Sequence, residues 1–430
     1  MKRNIYGDLL AWKNAPYRKP LILNGARQVG KTYILQEFGK REFRRMVYFS
    51  LDRDSKASGV FDTGGSTADI LLSLSAISGT DIVPGETLVV LDEVQSSPKA
   101  LEAMKFFCED APDVHVVVAG SLLGLALHSG VSWPVGKVDE LRMYPMTFGE
   151  FLSATGNVRM LALLEEGRWS TVSMIHGEYI SLLRQYYYVG GMPAAVRAFV
   201  EGRGLNAVRR IQQQIVSDYR RDFSKYAPTH EVPRINMVWE SIPAQLAKEN
   251  KKFIYGALKK SGRAAEFEMA IQWLVDAGLV YKVARVNAAR LPLKFYEDPS
   301  AFKLFMLDVG LMGAMTRTTA EAMLVGDGMF SEYKGAFTEL YVFSQLEARG
   351  LPLYYHSVDN STIELDFLTE HAGRVVPVEV KAEVNVKAKS LRTFIAANPH
   401  LHAIRYSMLP YDSQEWMTNV PLYAVGYWKG

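Results

Sequence analysis

The stretch Gly25-Ala26-Arg27-Gln28-Val29-Gly30-Lys31-Thr32 decides how the first part of this chain folds. It matches the eight-residue phosphate-binding loop, in which glycines at both ends let the backbone curl so that its N–H groups point at phosphate oxygens. The apolar run at residues 21–23 predicts a strand before the loop, and residues 32–38 predict a helix after it. We expect Lys31 to reach the β and γ phosphates of a nucleotide and Thr32 to bind Mg²⁺.

A pair of carboxylates follows another predicted strand. Residues 88–91 form an apolar run, and Asp92 and Glu93 come directly after it. Ligands of open α/β sheets bind at the carboxyl ends of the strands. We therefore expect Asp92 to hold Mg²⁺ through water and Glu93 to orient the attacking water. The next apolar strand leads into Ser121, which either contacts the γ-phosphate or caps a helix.

Short apolar runs alternate with helix-like stretches over residues 20–150. The runs are rich in branched residues and bounded by turns or polar residues, as buried strands are; they cover residues 21–23, 46–49, 88–91 and 114–119. Helical stretches between them imply crossover connections. We predict an α/β domain with a parallel sheet and helices on both faces.

Three further parts follow this first domain, which we place at residues 1–150. We predict a helical subdomain, then a winged-helix-like connector, and then a C-terminal α/β domain; they cover residues 151–230, 231–325 and 326–430. The connector is predicted from an amphipathic helix at residues 266–277 that leads into a strand at residues 279–283.

Several stretches together resemble one family, the AAA-superfamily ATPases of bacteria and archaea. The resemblance is to the branch whose C-terminal region ends in a restriction-endonuclease-like domain. It rests on the loop and on residues 88–95, 119–121, 144–151, 188–193, 273–279 and 302–311, so it covers nearly the whole chain. It implies an AAA-type P-loop fold that binds ATP. The residues it places against the nucleotide are Gly25, Ala26, Arg27, Gln28, Val29, Gly30, Lys31, Thr32, Asp92 and Ser121.

A second set of charged residues lies in a predicted hairpin near the C-terminus. A turn centred at residues 372–373 pairs Asp366 with Glu379 and Glu364 with Lys381. Because side chains alternate along a strand, all four would lie on one face. A charged face with cross-strand ion pairs is a common structural outcome, so this arrangement alone does not establish a site.

Two carboxylates and a lysine on one face also suit metal-assisted cleavage of a phosphodiester. Asp366 and Glu379 would supply oxygen ligands to Mg²⁺ or Mn²⁺, and Lys381 would position or activate the water. Asp-x(n)-Glu-x-Lys is the pattern of PD-(D/E)XK nucleases. The resemblance adds Glu339, on a predicted helix, as the further acidic residue of such folds.

Composition excludes several classes of protein. The 430 residues are 48% hydrophobic and 22% charged, which argues against a mainly disordered, collagenous or coiled-coil chain. A net charge of +3 makes binding of nucleic acid by bulk charge improbable. A single cysteine excludes an internal disulfide, and no apolar run approaches the roughly 18 residues of a membrane span. We therefore expect a cytoplasmic protein without a membrane partner.

The sequence leaves two functional hypotheses open. In the first, the AAA module hydrolyses Mg-ATP and controls a nuclease-like domain that acts on DNA. In the second, the chain is a nucleotide-dependent switch or scaffold whose nuclease-like domain binds nucleic acid or a protein partner without cleaving. Related chains often carry Gly-Arg where this one has Gly136-Lys137, so the γ-phosphate arginine is unassigned, with Arg142 as a nearby alternative. Neighbouring subunits often complete each other's sites in this superfamily, which leaves a homo-oligomer open.

Overall fold

The chain forms two compact units. The structure, a computed structural model, describes residues 1–126, 132–248, 252–260, 262–324, 333–358, 363–382 and 389–428. The N-terminal unit comprises residues 2–144 and 276–279, and the C-terminal unit comprises residues 145–275 and 280–430 together with Met1. Within the described ranges, no helix has the length and apolar character that crossing a membrane requires.

A five-stranded sheet forms the centre of the N-terminal unit. Its strands are β1 (Leu21–Asn24), β2 (Arg45–Ser50), β3 (Thr87–Asp92), β4 (His115–Gly120) and β5 (Asp139–Arg142). Across the sheet the order is β2-β3-β4-β1-β5, and every neighbouring pair is parallel. The central strands β3 and β4 are buried along their whole length, because helices cover both faces of such a sheet.

Helices connect these strands. They are α1 (Ile5–Lys13), α2 (Lys31–Glu42), α3 (Ser55–Asp62), α4 (Thr67–Ser78), α5 (Pro98–Asp110) and α6 (Leu123–Ala126). One cluster of buried apolar side chains joins the sheet to α3, α4 and α5. The predicted parallel α/β arrangement is confirmed, and the four predicted strands lie within one residue of their observed ends. Strand β5 was missed because its sequence, Asp-Glu-Leu-Arg, is charged and half-exposed at the sheet edge.

Helices make up the first half of the C-terminal unit. They are α7 (Phe148–Ala154), α8 (Val158–Glu165), α9 (Trp169–Met174), α10 (His176–Val189), α11 (Pro193–Val200), α12 (Leu205–Tyr226), α13 (Val232–Leu246) and α14 (Ala264–Asp276). A reciprocal cap begins α7: Thr147 Oγ1 accepts the N–H of Glu150, and the Glu150 carboxylate accepts the N–H of Thr147. Helices thus occupy the region predicted as a helical subdomain.

An eight-stranded mixed sheet forms the rest of this unit. Its strands are β6 (Val280–Val286), β7 (Glu297–Met306), β8 (Leu353–Ser357), β9 (Glu364–His371), β10 (Arg374–Val380), β11 (Ala403–Ser407), β12 (Asp412–Ser413) and β13 (Met417–Pro421). The accompanying helices are α15 (Val309–Met315), α16 (Ala320–Leu324), α17 (Lys334–Glu347) and α18 (Lys389–Ala397). The order across the sheet is β12-β13-β11-β10-β9-β8-β6-β7.

The strand predicted as part of a wing, observed as β6, belongs to this sheet. β6 and β7 are antiparallel neighbours, as in a winged helix, but β6 also pairs in parallel with β8. Because the second half of β6 is buried, its backbone groups need partners on both edges. The sheet therefore continues across the boundary that we predicted at residues 325–326. The four-part division of the chain stays a prediction.

The hairpin of β9 and β10 has the register expected from its turn. Arg374 pairs with His371, and the ladder continues without a shift to Val378 and Phe367. Ala372 and Gly373 both have positive φ, as the two central residues of a type I′ turn do. The predicted turn position is therefore confirmed.

A buried carboxylate fixes a turn among the central helices. Asp308 is 2% exposed and accepts the N–H groups of Gly191 at 2.6 Å and Leu311 at 2.9 Å. Gly190 has φ of 69°, and a Cβ there would lie 2.4 Å from Asp308 Oδ1, so only glycine fits. Burial raises the pKa of Asp308 to about 6, although hydrogen bonds from the backbone oppose the rise.

We expect Asp308 to make the C-terminal unit less stable as pH rises. Its pKa of about 6 in the folded chain exceeds the ordinary value of 3.8, so the folded state holds the proton more tightly. The free energy of unfolding should therefore fall between about pH 4 and pH 6, by up to roughly 3 kcal/mol. Asp308→Asn should flatten this part of the profile in urea unfolding of the full chain.

Asp298→Asn is the matched control. Hydrogen bonds from Ser300 and Arg285 lower the pKa of Asp298 to about 2, so this group titrates mostly below pH 4. Its replacement should leave the slope between pH 4 and pH 6 in place. A slope that survives in Asp308→Asn would assign the titration to another group.

Candidate functional site

Three strand ends of the N-terminal sheet meet at one edge. The loop at residues 25–32 follows β1, Asp92 ends β3, and Ser121 follows β4. In the sheet, β4 lies between β3 and β1. Because parallel strands end at the same edge, residues far apart in the chain come together there.

The loop has the backbone of an anion cradle. Gly25, Gln28 and Gly30 have positive φ values of 150°, 67° and 99°. Left-handed residues within such a loop turn successive N–H groups toward a common point. Gly30 precedes α2 without a side-chain cap, and the first turn of this helix carries no acidic side chain. The helix thus presents its positive N-terminal end to a ligand.

Lys31 is 6% exposed, and its ammonium turns back into the loop. Nζ donates to the carbonyl oxygens of Gly25 at 2.7 Å and Ala26 at 2.9 Å, and to the Ser121 hydroxyl at 3.0 Å. Burial lowers the pKa of Lys31 to about 8, although the nearby Glu93 carboxylate opposes the shift. The hydrogen bonds of this buried ammonium therefore go to neutral carbonyl and hydroxyl oxygens. Because no carboxylate in the described residues accepts from it, binding of an anion beside Lys31 is favoured.

The Asp92 carboxylate accepts hydrogen bonds from two hydroxyl groups. Its Oδ2 accepts from Thr32 Oγ1 at 2.6 Å and from the Tyr48 hydroxyl at 2.8 Å. A hydroxyl and a carboxylate oxygen side by side are the ligand chemistry that Mg²⁺ prefers, so these residues fit the ion. Tyr48 was not predicted. Its signal is positional, because it lies near the end of β2, the neighbour of β3.

Glu93 has an unusual backbone conformation. Its φ is 54°, which is uncommon for a residue with a Cβ and recurs at functional sites. Its Oε2 accepts a hydrogen bond from Gln95 Nε2. Within the described residues, Gln95 Oε1 is buried without a hydrogen-bond partner. Glu93 is thus held at the end of β3, beside the loop.

Three basic residues near the loop have different environments. Arg3, which was not predicted, donates from its guanidinium to the Val29 carbonyl in the loop at 2.8 Å. Arg142 ends β5 in register with Asn24, the residue before the loop. Lys137 instead pairs with Glu109 at 2.8 Å. Of the two candidates for the γ-phosphate cation, Arg142 therefore has the strand position next to the loop.

In the C-terminal unit, Asp366 and Glu379 lie near the open end of the β9–β10 hairpin. Asp366 Oδ2 accepts the N–H of Val380 at 2.7 Å, and Lys381 Nζ is 2.6 Å from Glu379 Oε1. Glu379 is 4% exposed, and in the described part of the chain its Oε2 has no hydrogen-bond partner. Burial raises the pKa of Glu379; Lys381 opposes this rise and Asp366 adds to it.

The β9–β10 ladder ends at Val378 and Phe367, so the predicted pairing of Glu364 with Lys381 stays a prediction, and the two side chains make their ion pairs elsewhere. Glu364 Oε1 instead lies 3.1 Å from Lys303 Nζ, and Lys303 also pairs with Glu339 at 3.1 Å. Lys303 is fully buried on β7, a strand that the hairpin sequence does not contain. Carboxylate partners offset the cost of burying an ammonium, and the two acids supply them for Lys303.

The carboxylates of this unit form an ion-pair network. Arg405, which was not predicted, lies in register with Glu379 across β10 and β11. Over the ranges that the structure describes, no three His, Cys, Asp or Glu side chains come together as a metal site. Glu339, the residue that the resemblance adds to Asp366 and Glu379, is engaged by Lys303. Glu339 is thus not grouped with Asp366 and Glu379 in such a cluster, and the roles predicted for the three acids stay predictions.

Three family models match successive parts of the chain. Residues 17–152 match the model described as an AAA domain. Residues 180–322 and 334–425 match two models described as domains of unknown function, DUF8612 and DUF4143. The first match agrees with the loop and with the sheet order, so the N-terminal unit is an AAA-type P-loop domain.

Individual relatives are distant. An uncharacterized protein of Methanocaldococcus jannaschii is 24% identical over 200 residues, which span 41% of this chain and 38% of that protein. The Walker-type ATPase of Pyrococcus abyssi is 12% identical, with a TM-score of 0.45 over 73% of this chain and 95% of its own. The ORC1 protein of Aeropyrum pernix, solved in complex with DNA, is 14% identical, with a TM-score of 0.32 over 74% of this chain and 93% of its own. Likenesses of this size carry no argument about function.

We expect Gly25→Ala to disrupt the loop. A Cβ at residue 25 would lie 2.3 Å from the carbonyl oxygen of Met143, so either the loop or the chain after β5 must move. The melting temperature should fall, with a loss of roughly 1–3 kcal/mol typical of overpacking. Gly7→Ala is the control, because a Cβ there meets nothing within 4 Å. Equal melting of both variants would contradict the close approach.

Proposed function

We propose that the N-terminal unit binds Mg-ATP and hydrolyses it. The observation that carries this proposal is the buried ammonium of Lys31, which has only carbonyl and hydroxyl acceptors inside a loop built for phosphate. The AAA domain match over residues 17–152 supports the same assignment.

The residues of this edge divide the chemistry among them. Lys31 exchanges its carbonyl contacts for the β and γ phosphates, and these anions raise its pKa and hold it protonated. Thr32 and Asp92 would hold Mg²⁺, which supplies positive charge for the transferring phosphoryl group. Glu93 orients or polarises the attacking water, and Ser121 lies within reach of the γ-phosphate through its contact with Lys31.

Two substitutions separate binding from hydrolysis. Lys31→Ala should weaken ATP binding at least tenfold, because it removes the only buried ammonium among the described residues of the loop. Glu93→Gln should keep binding but slow phosphate release by a factor of roughly 10² or more, the usual share of a general base. Binding is measured by titration calorimetry and hydrolysis by release of inorganic phosphate.

Lys40→Ala is the control for these variants, because Lys40 is an exposed residue on the same helix, α2. It should bind and hydrolyse ATP as the unaltered chain does. Undiminished hydrolysis in both Lys31→Ala and Glu93→Gln would refute the site assignment.

We also propose that the C-terminal unit is an endonuclease-like domain that engages nucleic acid. Its mixed sheet with flanking helices agrees with the fold that the resemblance implies, and the hairpin has the register that places Asp366 next to Glu379. The ion pairs of Lys303 and Lys381 leave few carboxylate oxygens for a metal. This network favours binding of nucleic acid without cleavage.

Cleavage is the second candidate because of one observation. Glu379 Oε2 is buried without a hydrogen-bond partner in the described residues, and such an atom is costly unless it receives a ligand. A cation between Asp366 and Glu379 would satisfy it, and Lys381 would then be free to position a water.

A nicking assay decides between the two candidates. If the unit cleaves, supercoiled plasmid DNA with Mg²⁺ or Mn²⁺ should be nicked by the unaltered chain and not by Asp366→Ala, with and without ATP. Glu415→Ala, which alters an exposed carboxylate, is the control and should nick normally. Binding of DNA without nicking under any metal establishes the non-cleaving role, and nicking that survives in Asp366→Ala indicates a contaminating nuclease.

A further inference from the structure

A groove of about 810 Å³ lies at the turn end of the β9–β10 hairpin. Residues 371–376 of the hairpin form one part of its lining, and residues 289–291, residues 400–402 and Trp428 complete it. We call this feature the hairpin groove. It is distinct from the carboxylates of the same hairpin, because Asp366 lies five residues, or about 17 Å, along β9 from His371.

The lining of the hairpin groove includes two arginines. Arg290 and Arg374 are exposed, His371, His400 and His402 also line it, and the lining contains no Asp or Glu. Neither arginine has an ion pair among the described residues. Many exposed arginines elsewhere are paired, such as Arg41 with Glu37 and Arg197 with Glu201. Two guanidinium groups left open beside one groove match the charge of phosphate oxygens.

An aromatic surface accompanies these charges. Trp428 is half-buried, and its ring centroid lies 5.7 Å from that of His371 at an interplanar angle of 44°. Half-burial fixes the indole while leaving part of it open to a ligand. Proteins that bind single strands combine basic grooves with aromatic rings on which bases stack.

We propose that the hairpin groove binds single-stranded nucleic acid. Arg290 and Arg374 contact phosphates, and Trp428 together with His371 receives a base. The groove volume is that of a pocket for a ligand-sized group, which suits one or two nucleotides. This inference rests on the proposed nucleic-acid role of the C-terminal unit and assigns that role to particular residues.

Binding of a fluorescein-labelled dodecamer of thymidylate tests the proposal. Anisotropy is measured with the full chain in EDTA, at salt concentrations from 50 to 200 mM. The double variant Arg290→Ala/Arg374→Ala should bind at least tenfold more weakly at 50 mM salt. Its slope of log K against log salt should be shallower by about 1.4, since each phosphate contact on a single strand contributes about 0.7. Trp428→Leu should bind at least fivefold more weakly, and Trp428→Phe should retain most of the affinity.

Two controls keep the outcome specific. Arg210→Ala removes an exposed arginine on α12, away from the groove, and should bind normally. Arg374→Lys keeps the charge and should retain most of the salt dependence. Circular dichroism melting curves that match the unaltered chain establish that the groove variants fold.

The outcomes separate this inference from the broader proposal. If the unaltered chain does not bind the oligonucleotide, the nucleic-acid role itself fails. If the unaltered chain and the groove variants bind equally, the role stands and the groove assignment fails. Displacement of the labelled strand by polyglutamate as readily as by unlabelled strand would make the groove a site for acidic peptides and overturn the proposal. Displacement by unlabelled strand but not by inorganic phosphate or a duplex supports it.

Discussion

The buried ammonium of Lys31 is the constraint on which the N-terminal unit depends. Removing an ammonium from water costs several kcal/mol unless an anion accompanies it, and the pKa drop to about 8 corresponds to roughly 3 kcal/mol. Lys31 lies where three strand ends converge, and carbonyl and hydroxyl oxygens accept its hydrogen bonds there. A phosphate group in the loop would relieve most of this cost. The burial of this ammonium among neutral acceptors thus favours binding of an anion.

Lys303 shows the opposite solution to the same problem. It is buried more completely than Lys31, yet two carboxylates at 3.1 Å receive its charge. Such a closed network is a structural element, because removing one partner would leave an uncompensated charge in the core. The contrast between the two lysines distinguishes a site that favours an added anion from a cluster whose ammonium already has carboxylate partners. Glu379 differs from both lysine sites, because its Oε2 is buried without a hydrogen-bond partner in the described part of the chain while Lys381 pairs with its other oxygen.

Local patterns in the sequence were sufficient for much of the fold. The loop, the four apolar strands and the hairpin turn were predicted correctly because each depends on neighbours within about ten residues. Pairing between distant strands could not be derived in this way. The sequence of strand β6 is typical of one half of a wing, and only its pairing with β8, seventy residues further along the chain, places it in the large sheet. The same limit hid Lys303, whose partners come from a helix and a strand distant in the chain.

The candidate sites follow the same rule. Lys31, Thr32 and Asp92 were predicted because the motif and the strand-end rule together bring them to one edge. Tyr48 and Arg3 were not, because no motif marks a tyrosine near the end of a strand or an arginine close to the N-terminus. Arg290 and Arg374 could not be identified as a site from the sequence. They are two of 49 Lys and Arg residues in a chain of net charge +3, and composition does not distinguish them from the others. They stand out because the fold lines one groove with both and leaves them without carboxylate partners in the described residues. The placement of unpaired charge, rather than its total, therefore identifies where an anionic partner can bind.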